Sequence, residues 1–338
     1  MKKNNNNSML KNKIFIVLLT IFFMSCQRND TTIRGFVQGT TYSITYSSNK
    51  NYKNDIEILL AKFDTSLSTY LPVSTISKIN TNKNNSTDDF FRTVFAKSKE
   101  ISKETKGAFD ITVAPIVNAW GFGFSEKQSI DSTLIDSLLQ YVGINNVYIK
   151  NDMLFKSDSN IMLDMNAIAQ GYSVDLVADF LNKKGIKNYI VEIGGELKTK
   201  GVNHKRESWK VGLDKPIDNN NVPGENLQAI IKLQNKALAT SGNYRKFYKK
   251  NGIKYSHTIN PKTGYPVNHS LLSATVIADD CITADGYATS FMVMGLEKSL
   301  ELLKTHPEID AYFVYNDKEG NLKVKFTDGL KKSIIELN

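Results

Sequence analysis

Cysteine is scarce in this sequence. Only two cysteines, Cys26 and Cys281, occur among 338 residues, which excludes a small scaffold held together by many disulfides. The chain is 41% hydrophobic and 23% charged, so it can bury a large core. We therefore expect stability to come from packing, in one large domain or two closely packed domains.

A concentrated basic surface is also absent from the sequence. The formal net charge is +9, but the lysines and arginines beyond the first 26 residues are scattered between acidic residues and asparagines. They do not form a basic stripe with interleaved aromatic residues, which is the pattern typical of nucleic-acid binding. We therefore expect no nucleic-acid partner.

The apolar run near the N-terminus is too short to span a bilayer. It covers residues 14–24, is interrupted only by Thr20, and follows a basic segment at residues 2–13. This order is typical of the signal peptide of an exported protein. The run ends shortly before Cys26, and a small residue precedes this cysteine, as in a loose version of the bacterial lipobox.

We interpret residues 1–26 as a lipoprotein signal peptide with Cys26 as the lipidated residue, and residues 27–32 as a polar tether. A lipid anchor would hold the chain on the outer side of the bacterial cytoplasmic membrane or in the periplasm. The alternative is an ordinary secretory signal in which Cys26 is incidental. Cys281 is then unpaired, and we expect a small buried residue because no strongly basic neighbour is evident.

Hydrophobic periodicity predicts a mixture of helices and strands, with no internal repeat and no long linker. Helices are predicted at residues 55–67, 131–140 and 297–305, after the capping residues Thr87, Asp88 and Asp89, and in a segment that ends near residue 184. Strands are predicted at residues 33–46, 189–193, 209–213, 227–233, 271–278, 311–315 and 322–326.

Residues 255–290 contain the main candidate metal site. A loop stiffened by proline and glycine precedes the strand at 271–278, and a helix with an apolar face reaching Leu300 follows this strand. On that helix Asp285 and Thr289 are four residues apart, so their side chains share one face. A carboxylate and a hydroxyl are oxygen ligands that suit magnesium. Alternatively, Asp285 complements the helix dipole and Thr289 packs.

Three other stretches carry weaker site signals. The Trp-Gly-Phe-Gly sequence at residues 120–123 would offer an aromatic surface to a planar ligand, or would form core and a turn. The helix that starts after residue 163 lacks the glycine patterns of a Walker loop or a Rossmann fingerprint, but its N-terminus could bind phosphate. Gly194 and Gly195 allow close backbone approach or a tight turn. Thr240, Ser241 and Gly242 form a cluster of potential donors.

Six stretches, in their order along the chain, resemble one family closely. They are QGTTYSI, LSTYLPVSTISKIN, GAFDITVAPIVNAWGFG, LDMNAIAQGYSVD, IGGEL, and ATSGNYRKF through SHTINPKTGYPV to ADGYATS. The chain resembles the ApbE family of flavin transferases over residues 39–326. The resemblance implies one α+β domain at residues 33–338, of T-fold-like topology, with mixed and largely antiparallel sheets packed against helices.

The resemblance also implies an enzyme. Members of the family use magnesium to cleave the pyrophosphate of FAD, move FMN onto a threonine hydroxyl of a target protein and release AMP. The acceptor is a redox membrane protein subunit or a flavoprotein, and its sequence resembles Asp-Gly-xaa-Ser/Thr-Gly-Ala-Thr, with the final threonine modified. Two alternatives stay open, namely a magnesium-dependent FAD pyrophosphatase and a flavin-binding lipoprotein without turnover.

Site residues follow from the resemblance by position. Asp285 and Thr289 would hold magnesium through side-chain oxygens, together with the carbonyl of Ala167. His257 would handle a proton or, alternatively, hydrogen-bond the nucleotide. The positions associated with FAD are Tyr70, Ala108, Phe109, Asp110, Asp164 and Gln170, and the pocket is completed by Thr240, Ser241, Gly242, His257 and Thr258.

Four positions depart from the family's usual residues. The family often has methionine where Gln38 stands, lysine where Gln170 stands, and aspartate at Asn243 and Asn260. The absence of a lysine near a diphosphate removes a positive charge from the site. We expect this change to weaken FAD binding or to shift the balance between transfer and hydrolysis.

Overall fold

The computed structural model describes residues 29–123, 128–217, 220, 222, 224–243, 247–250, 253–256 and 258–337. Within them the strands are β1 (Asp30–Val37), β2 (Thr40–Ser47), β3 (Val147–Lys150), β4 (Met153–Lys156), β5 (Tyr189–Ile193), β6 (Glu196–Lys200), β7 (Trp209–Asp214), β8 (Leu227–Leu233), β9 (Ala237–Gly242), β10 (Phe247–Lys250), β11 (Ile253–Ser256), β12 (Leu271–Ala278), β13 (Asp310–Asn316), β14 (Leu322–Phe326) and β15 (Ile334–Glu336).

Eight α-helices lie between these strands in the described part of the chain. They are α1 (Lys53–Leu67), α2 (Thr75–Asn80), α3 (Asp89–Glu104), α4 (Ala114–Ala119), α5 (Ser132–Leu139), α6 (Asn166–Lys183), α7 (Cys281–Met294) and α8 (Leu296–Leu303). Helix α3 begins where the sequence predicts, because the Asp88 carboxylate accepts a hydrogen bond from the Phe91 amide. None of the helices described is both long enough and apolar enough to cross a membrane.

An eight-stranded sheet forms the centre of the molecule, in the order β1-β2-β5-β6-β9-β12-β13-β14, with each neighbouring pair antiparallel. A three-stranded sheet, β15-β8-β7, and two hairpins, β3-β4 and β10-β11, complete the strands described. The predicted α+β fold with largely antiparallel sheets is therefore confirmed.

The central strands bury both of their faces. On β9 and β12, Ala239 and Val276 pack in the same cluster as the helices, whereas Leu238 and Ile277 pack against the three-stranded sheet. Successive side chains of a strand point to opposite faces, so these strands need apolar residues at nearly every position. This explains the largely apolar sequence of β12. Helices α6 and α7 pack on the face of the large sheet that carries Ala239 and Val276.

Helices α6 and α7 approach each other closely at Gly171. A Cβ atom added to Gly171 would lie 2.4 Å from the Cys281 carbonyl oxygen and 2.7 Å from the Asp285 Cβ. Real Cβ atoms essentially never make contacts this short, so only glycine permits this spacing of the two helices. The close approach brings the second turn of α6 against the first turn of α7 on one side of the sheet.

Two predicted boundaries differ from the structure. The apolar face predicted to continue to Leu300 is divided, because Gly295 has a φ angle of +77°, which ends α7 and starts α8 in a new direction. Strand β1 begins at Asp30, so the last three residues of the predicted tether pair with β2 instead. Helix α2 and strands β3, β4, β6, β10, β11 and β15 are additional elements that the periodicity does not predict.

Candidate active site

A cavity of about 310 Å³ lies where the second half of α7 meets the beginning of α6 and three loops. This volume is at the lower end of the range for ligand pockets in proteins. The residues predicted from the resemblance that line it are Tyr70, Ala108, Phe109, Asp110, Asp164, Ala167, Ser241, Thr258 and Thr289. Ile111, Val113, Val117, Phe122, Asn166, Ile259, Pro261, Met292 and Val293 complete its wall.

The three predicted magnesium ligands come from the two closely packed helices. Ala167 at the start of α6 and Thr289 on α7 line the cavity. Asp285 lies one turn before Thr289, is only 6% exposed, and accepts a 2.9 Å hydrogen bond from the Gly171 amide through Oδ2. The Thr289 hydroxyl lies 3.1 Å from the Ser241 hydroxyl, which connects α7 to β9.

The electrostatics around Asp285 favour a bound cation or proton. Burial raises the pKa of Asp285 to about 7, although the hydrogen bond from Gly171 opposes this rise. Burial also raises the pKa of Glu196 on β6 well above its ordinary value, and the negative charge of Asp285 raises it further. Two neighbouring carboxyl groups whose pKa values are both raised need a positive partner in order to be ionised together.

The donor set fits magnesium by its chemistry, since a carboxylate, a hydroxyl and a backbone carbonyl all offer oxygen. In a regular helix the Gly171 amide donates to the Ala167 carbonyl. Here the Gly171 amide donates to the Asp285 carboxylate, so the helix that carries Ala167 directly contacts a second predicted ligand. No group of three or more histidine, cysteine or acidic side chains with metal-binding geometry occurs in the residues described. The predicted set contains only one carboxylate and is not of that type.

The N-terminus of α6 opens onto the cavity, as the phosphate-binding prediction requires. Asn166 and Ala167 line the cavity, and the preceding residue, Met165, provides no side-chain cap. The Asn166 amide donates to the Asp164 carboxylate at 2.9 Å. Burial raises the pKa of Asp164, although this hydrogen bond opposes the change. Two further amides of this turn donate to the Met165 carbonyl, so the Ala167 amide is the first-turn donor that remains for an anion.

Asp110 has a structural role in the cavity wall. Its carboxylate accepts hydrogen bonds from the Thr112 amide at 2.8 Å, the Thr112 hydroxyl at 2.5 Å and the Ile144 amide at 2.9 Å. These bonds hold a short 3₁₀ helix, Ile111–Val113, against the loop before β3. Burial raises the pKa of Asp110, and the same hydrogen bonds oppose this rise.

Four predicted site residues lie outside the cavity wall as the described residues outline it, namely Gln170, Thr240, Gly242 and Asp285. Thr240 and Ser241 are consecutive on β9, so their side chains point to opposite faces. The Ser241 hydroxyl meets Thr289, whereas the Thr240 hydroxyl meets Thr275 of β12 at 2.8 Å on the far face. Gly242 lies on the same face as Thr240, so the cluster divides between the two sides of the sheet.

Gln170 is held away from the cavity by β5 and β6. Its amide nitrogen donates to the Ile193 carbonyl at 3.1 Å and to the Glu196 carboxylate. A Cβ atom on Gly194 would lie 2.1 Å from this nitrogen, so Gly194 provides close approach as well as a turn, with φ at +64°. The amide of Gln170 therefore contacts an acidic group in a position where the family often has lysine.

The other departures from the family also have structural partners. The Gln38 side-chain oxygen accepts a 3.2 Å hydrogen bond from the Ser173 hydroxyl. Asn243 donates to the Leu271 carbonyl at 3.1 Å, and Asn260 accepts from the Lys262 amide at 2.9 Å within the loop after β11. Each of these three side chains fixes a turn, a loop or a strand end.

The aromatic stretch at residues 120–123 divides between two roles. Trp120 is buried in a small cluster with Ile116 and Ile259, and its indole nitrogen donates to the Gly264 carbonyl at 2.8 Å. Phe122 lines the cavity. The core interpretation thus holds for Trp120, and only Phe122 is available to a planar ligand.

Cys281 is buried and unpaired at the first position of α7, and burial raises the pKa of its thiol, as expected for a residue that is not a nucleophile. Cys26 and His257 lie outside the described residues, so their roles stay predictions. Sequence reasoning missed the parts played by Glu196 and Gly171. A glutamate directly after two glycines, and a glycine inside an amphipathic helix, were the available signals.

Comparisons with known proteins agree on one family. The profile of the ApbE family matches residues 38–313. The FAD:protein FMN transferase of Vibrio cholerae is 33% identical over 326 residues, which cover 92% of this chain and 96% of that protein. The FAD:protein FMN transferase of Haemophilus influenzae is 35% identical over 330 residues, which cover 91% and 93% of the two chains.

Solved structures show the same relationship. The flavin transferase ApbE from Vibrio cholerae superimposes with a TM-score of 0.81 at 32% identity, over 90% of this chain and 99% of that one. The apo flavinyl transferase ApbE from Pseudomonas stutzeri gives 0.80 at 31% identity, over 91% and 98%. The prediction of a transferase enzyme is confirmed by these relatives. The chain belongs to the ApbE family, as its six stretches predict.

Proposed function

We propose that this chain transfers FMN from FAD to a threonine hydroxyl of a target protein, in a magnesium-dependent reaction that releases AMP. The observation that carries the proposal is the meeting of α6 and α7 beside the cavity. There the Asp285 carboxylate, the Thr289 hydroxyl and the Ala167 carbonyl adjoin an uncapped helix N-terminus. This arrangement supports a set of oxygen ligands for magnesium beside a helix N-terminus that would bind phosphate.

The reaction exchanges one phosphoryl bond for another. The threonine oxygen forms a bond to the phosphorus of the FMN part, the bond from that phosphorus to the AMP part breaks, and AMP leaves with the electron pair. Bound magnesium would neutralise charge on the pyrophosphate. The Ala167 amide at the start of α6 would donate to a phosphate oxygen, and the apolar wall formed by Phe109, Val117 and Phe122 would pack against the flavin ring.

The threonine proton must pass to a base as the new bond forms. His257 is our candidate, because an unperturbed histidine titrates near neutral pH. The alternative role, a hydrogen bond to the nucleotide, stays open. Within the described part of the cavity wall, Asp110 already accepts three hydrogen bonds, two from Thr112 and one from the Ile144 amide, and is less suited to accept the proton.

Hydrolysis is the rival reaction, since water could replace the threonine in the same site. Positioning a threonine in line would gain about 7–11 kcal/mol at best, whereas water needs a residue that orients it. No added water-orienting group is evident in the sequence, and the approach loops, rich in glycine and asparagine, are compatible with an extended peptide. We therefore expect transfer to dominate over hydrolysis.

The test is incubation of the chain with FAD, magnesium and a peptide of the form Asp-Gly-xaa-Thr-Gly-Ala-Thr. We expect the peptide to gain the mass of one FMN group and AMP release to accelerate when the peptide is present. A peptide with its final threonine replaced by valine is the control. Unchanged AMP release with no mass on the peptide would establish the hydrolase, and no AMP under any condition would support a flavin-binding protein without turnover.

A pair of adjacent substitutions tests the two faces of β9. Ser241→Ala removes the hydroxyl that holds Thr289, and a hydrogen bond of this kind contributes about 1 kcal/mol. We expect the rate of FMN transfer to fall about fivefold and the magnesium concentration needed for half-maximal transfer to rise. Thr240→Val removes a hydroxyl on the far face and should change transfer less than about twofold. Equal losses in both variants would show that the strand face does not decide the effect.

For location, we propose a lipid anchor on Cys26 that holds the enzyme on the outer side of the cytoplasmic membrane or in the periplasm. Cys26→Ser should leave the protein exported but release it from the membrane, because a tether without acyl chains has nothing apolar to insert. Membrane fractionation of cells that express both forms is the measurement. A Cys26→Ser protein that still sediments with membranes would contradict the anchor.

A further inference from the structure

Asp175 is a buried carboxylate that the proposed reaction does not use. It lies on the second turn of α6 after Ala167 and is 6% exposed. Its two oxygens accept hydrogen bonds from the Cys281 amide at 3.0 and 2.9 Å, and Oδ2 accepts one from the Ile282 amide at 2.9 Å. Asp175 therefore binds the first two residues of α7.

Lys198 neutralises this carboxylate from the neighbouring strand. Its Nζ atom lies 2.7 Å from the Asp175 Oδ1, and its side chain is only 18% exposed. Burying a charged pair costs several kcal/mol of desolvation, which only good geometry and further hydrogen bonds offset. Helix α7 already has an ordinary N-cap, since Asp280 accepts from the Thr283 amide at 2.9 Å. The buried pair is thus an addition to a helix start that is already capped.

The contact between Asp175 and the start of α7 is matched by a second contact, in which an aspartate of α7 binds an amide of α6. Asp175 lies four residues after Gly171 on α6, and Asp285 lies four residues after Cys281 on α7. The carboxylate of Asp175 accepts from the Cys281 amide, and the carboxylate of Asp285 accepts from the Gly171 amide. Each helix thereby holds the other through an aspartate and an amide, and the backbones meet where Gly171 has no Cβ.

We propose that Asp175, held by Lys198, is a positioning residue that fixes the start of α7 against α6 and so sets the spacing between Asp285 and the Ala167 carbonyl. The inference rests on the proposed function, because these are two of the three magnesium ligands named there. A shift at the first turn of α7 moves Asp285, one turn further along the same helix. Magnesium demands near-ideal geometry at about 2.0–2.1 Å, whereas calcium accepts flexible geometry at about 2.3–2.6 Å.

The test is Asp175→Asn in the full chain, with metal alone as the first probe. Magnesium and calcium binding are measured by calorimetry, and FMN transfer is then followed as magnesium is raised. Changes to groups that orient metal ligands typically cost about 10–100-fold in metal affinity. We expect magnesium affinity to fall at least about tenfold, and the ratio of magnesium to calcium affinity to fall with it. A loss of stability alone would lower both affinities together.

Two further variants keep the test decisive. Lys198→Met leaves the carboxylate in place but removes its counter-charge, so it should also lower the ratio of magnesium to calcium affinity. This variant replaces Asp175→Asn as the test if Asp175→Asn does not fold. Lys236→Met breaks an exposed ion pair with Asp279 at the same end of α7 and should behave as wild type. A folded Asp175→Asn protein with an unchanged ratio and unchanged magnesium dependence would overturn the inference alone. A wild-type chain that binds no magnesium would overturn the proposed function as well.

Discussion

Replacement of Asp285 by asparagine is expected to lower FMN transfer at least about 1000-fold while the chain stays folded, because stabilisation of pyrophosphate charge by a metal is worth several kcal/mol. Asparagine preserves the shape of the side chain and an oxygen for the Gly171 amide, but it removes the only charged member of the proposed ligand set. Magnesium-dependent transfer, measured by mass on the acceptor peptide, is the readout.

Without metal, the same substitution should stabilise the folded chain at neutral and higher pH. Burial raises the pKa of Asp285 in the folded chain from 3.8 to about 7. A raised carboxyl pKa favours folding most at low pH, and this contribution is lost as the pH rises from about 4 through about 7. At about pH 8 the metal-free wild type therefore buries a charge that the variant lacks. Asp285→Asn should then unfold at a higher temperature than wild type, and the difference should shrink as the pH falls and disappear only below about pH 4.

With magnesium present at about pH 8, the wild type should instead unfold at the higher temperature, since magnesium binds and stabilises only the wild type. Thermal unfolding with chelator and with magnesium, across this pH range, gives both comparisons. Asp279→Asn is the matched control, because Asp279 lies near the same helix end but is exposed. Near-normal magnesium-dependent transfer by a folded Asp285→Asn protein would remove Asp285 from the metal site.

The local parts of the site were predictable from the sequence because they depend on short spacings. Asp285 and Thr289 share a helix face because residues four positions apart on a helix always do. Asp88 precedes a segment with helical apolar periodicity, which is the usual place of an N-cap residue. The partner of Asp285 was not predictable in this way. Gly171 is 114 residues away in sequence, and only the packing of α6 on α7 brings its amide to the carboxylate.

Strand register limits the prediction in a similar way. The donors Thr240 and Ser241 look equivalent in sequence, yet a one-residue step along a strand moves a side chain to the opposite face. Which face meets α7 depends on the pairing of β9 with β12, where Thr240 lies opposite Thr275 and Ser241 opposite Ala274. Both faces of these strands are covered, so the apolar pattern alone does not identify the face that carries the site.

The second large effect is expected from Gly171→Ala, for which two physical arguments give opposite signs. Alanine is favoured over glycine inside a helix by about 1 kcal/mol, which alone would stabilise the protein. The new Cβ, however, would lie 2.4 Å from the Cys281 carbonyl oxygen and 2.7 Å from the Asp285 Cβ. The first of these atoms is backbone, so α7 must move, and overpacking of this kind costs about 1–3 kcal/mol.

The cost of overpacking should therefore exceed the gain in helix propensity, and the displaced part of α7 is the part that carries Asp285. Moving α7 away from α6 stretches the hydrogen bond from Gly171 to Asp285 and separates Asp285 from the Ala167 carbonyl. A misplacement of about 1 Å typically costs about 100-fold in rate, so we expect a loss of that size in FMN transfer, together with weaker magnesium binding. The measurements are transfer to the peptide, magnesium calorimetry and thermal unfolding.

Gly286→Ala on the same helix is the matched control for this prediction. Its Cβ would lie 2.4 Å from the Ile101 Cδ1, which is the end of a side chain that can rotate, and 3.3 Å from the Ile168 Cδ1. We expect Gly286→Ala to retain most of its magnesium affinity, because side chains rather than backbone absorb the new methyl group. If Gly171→Ala is instead more stable than wild type and fully active, helix propensity has prevailed, and the close approach of α6 and α7 does not set the geometry of the metal ligands.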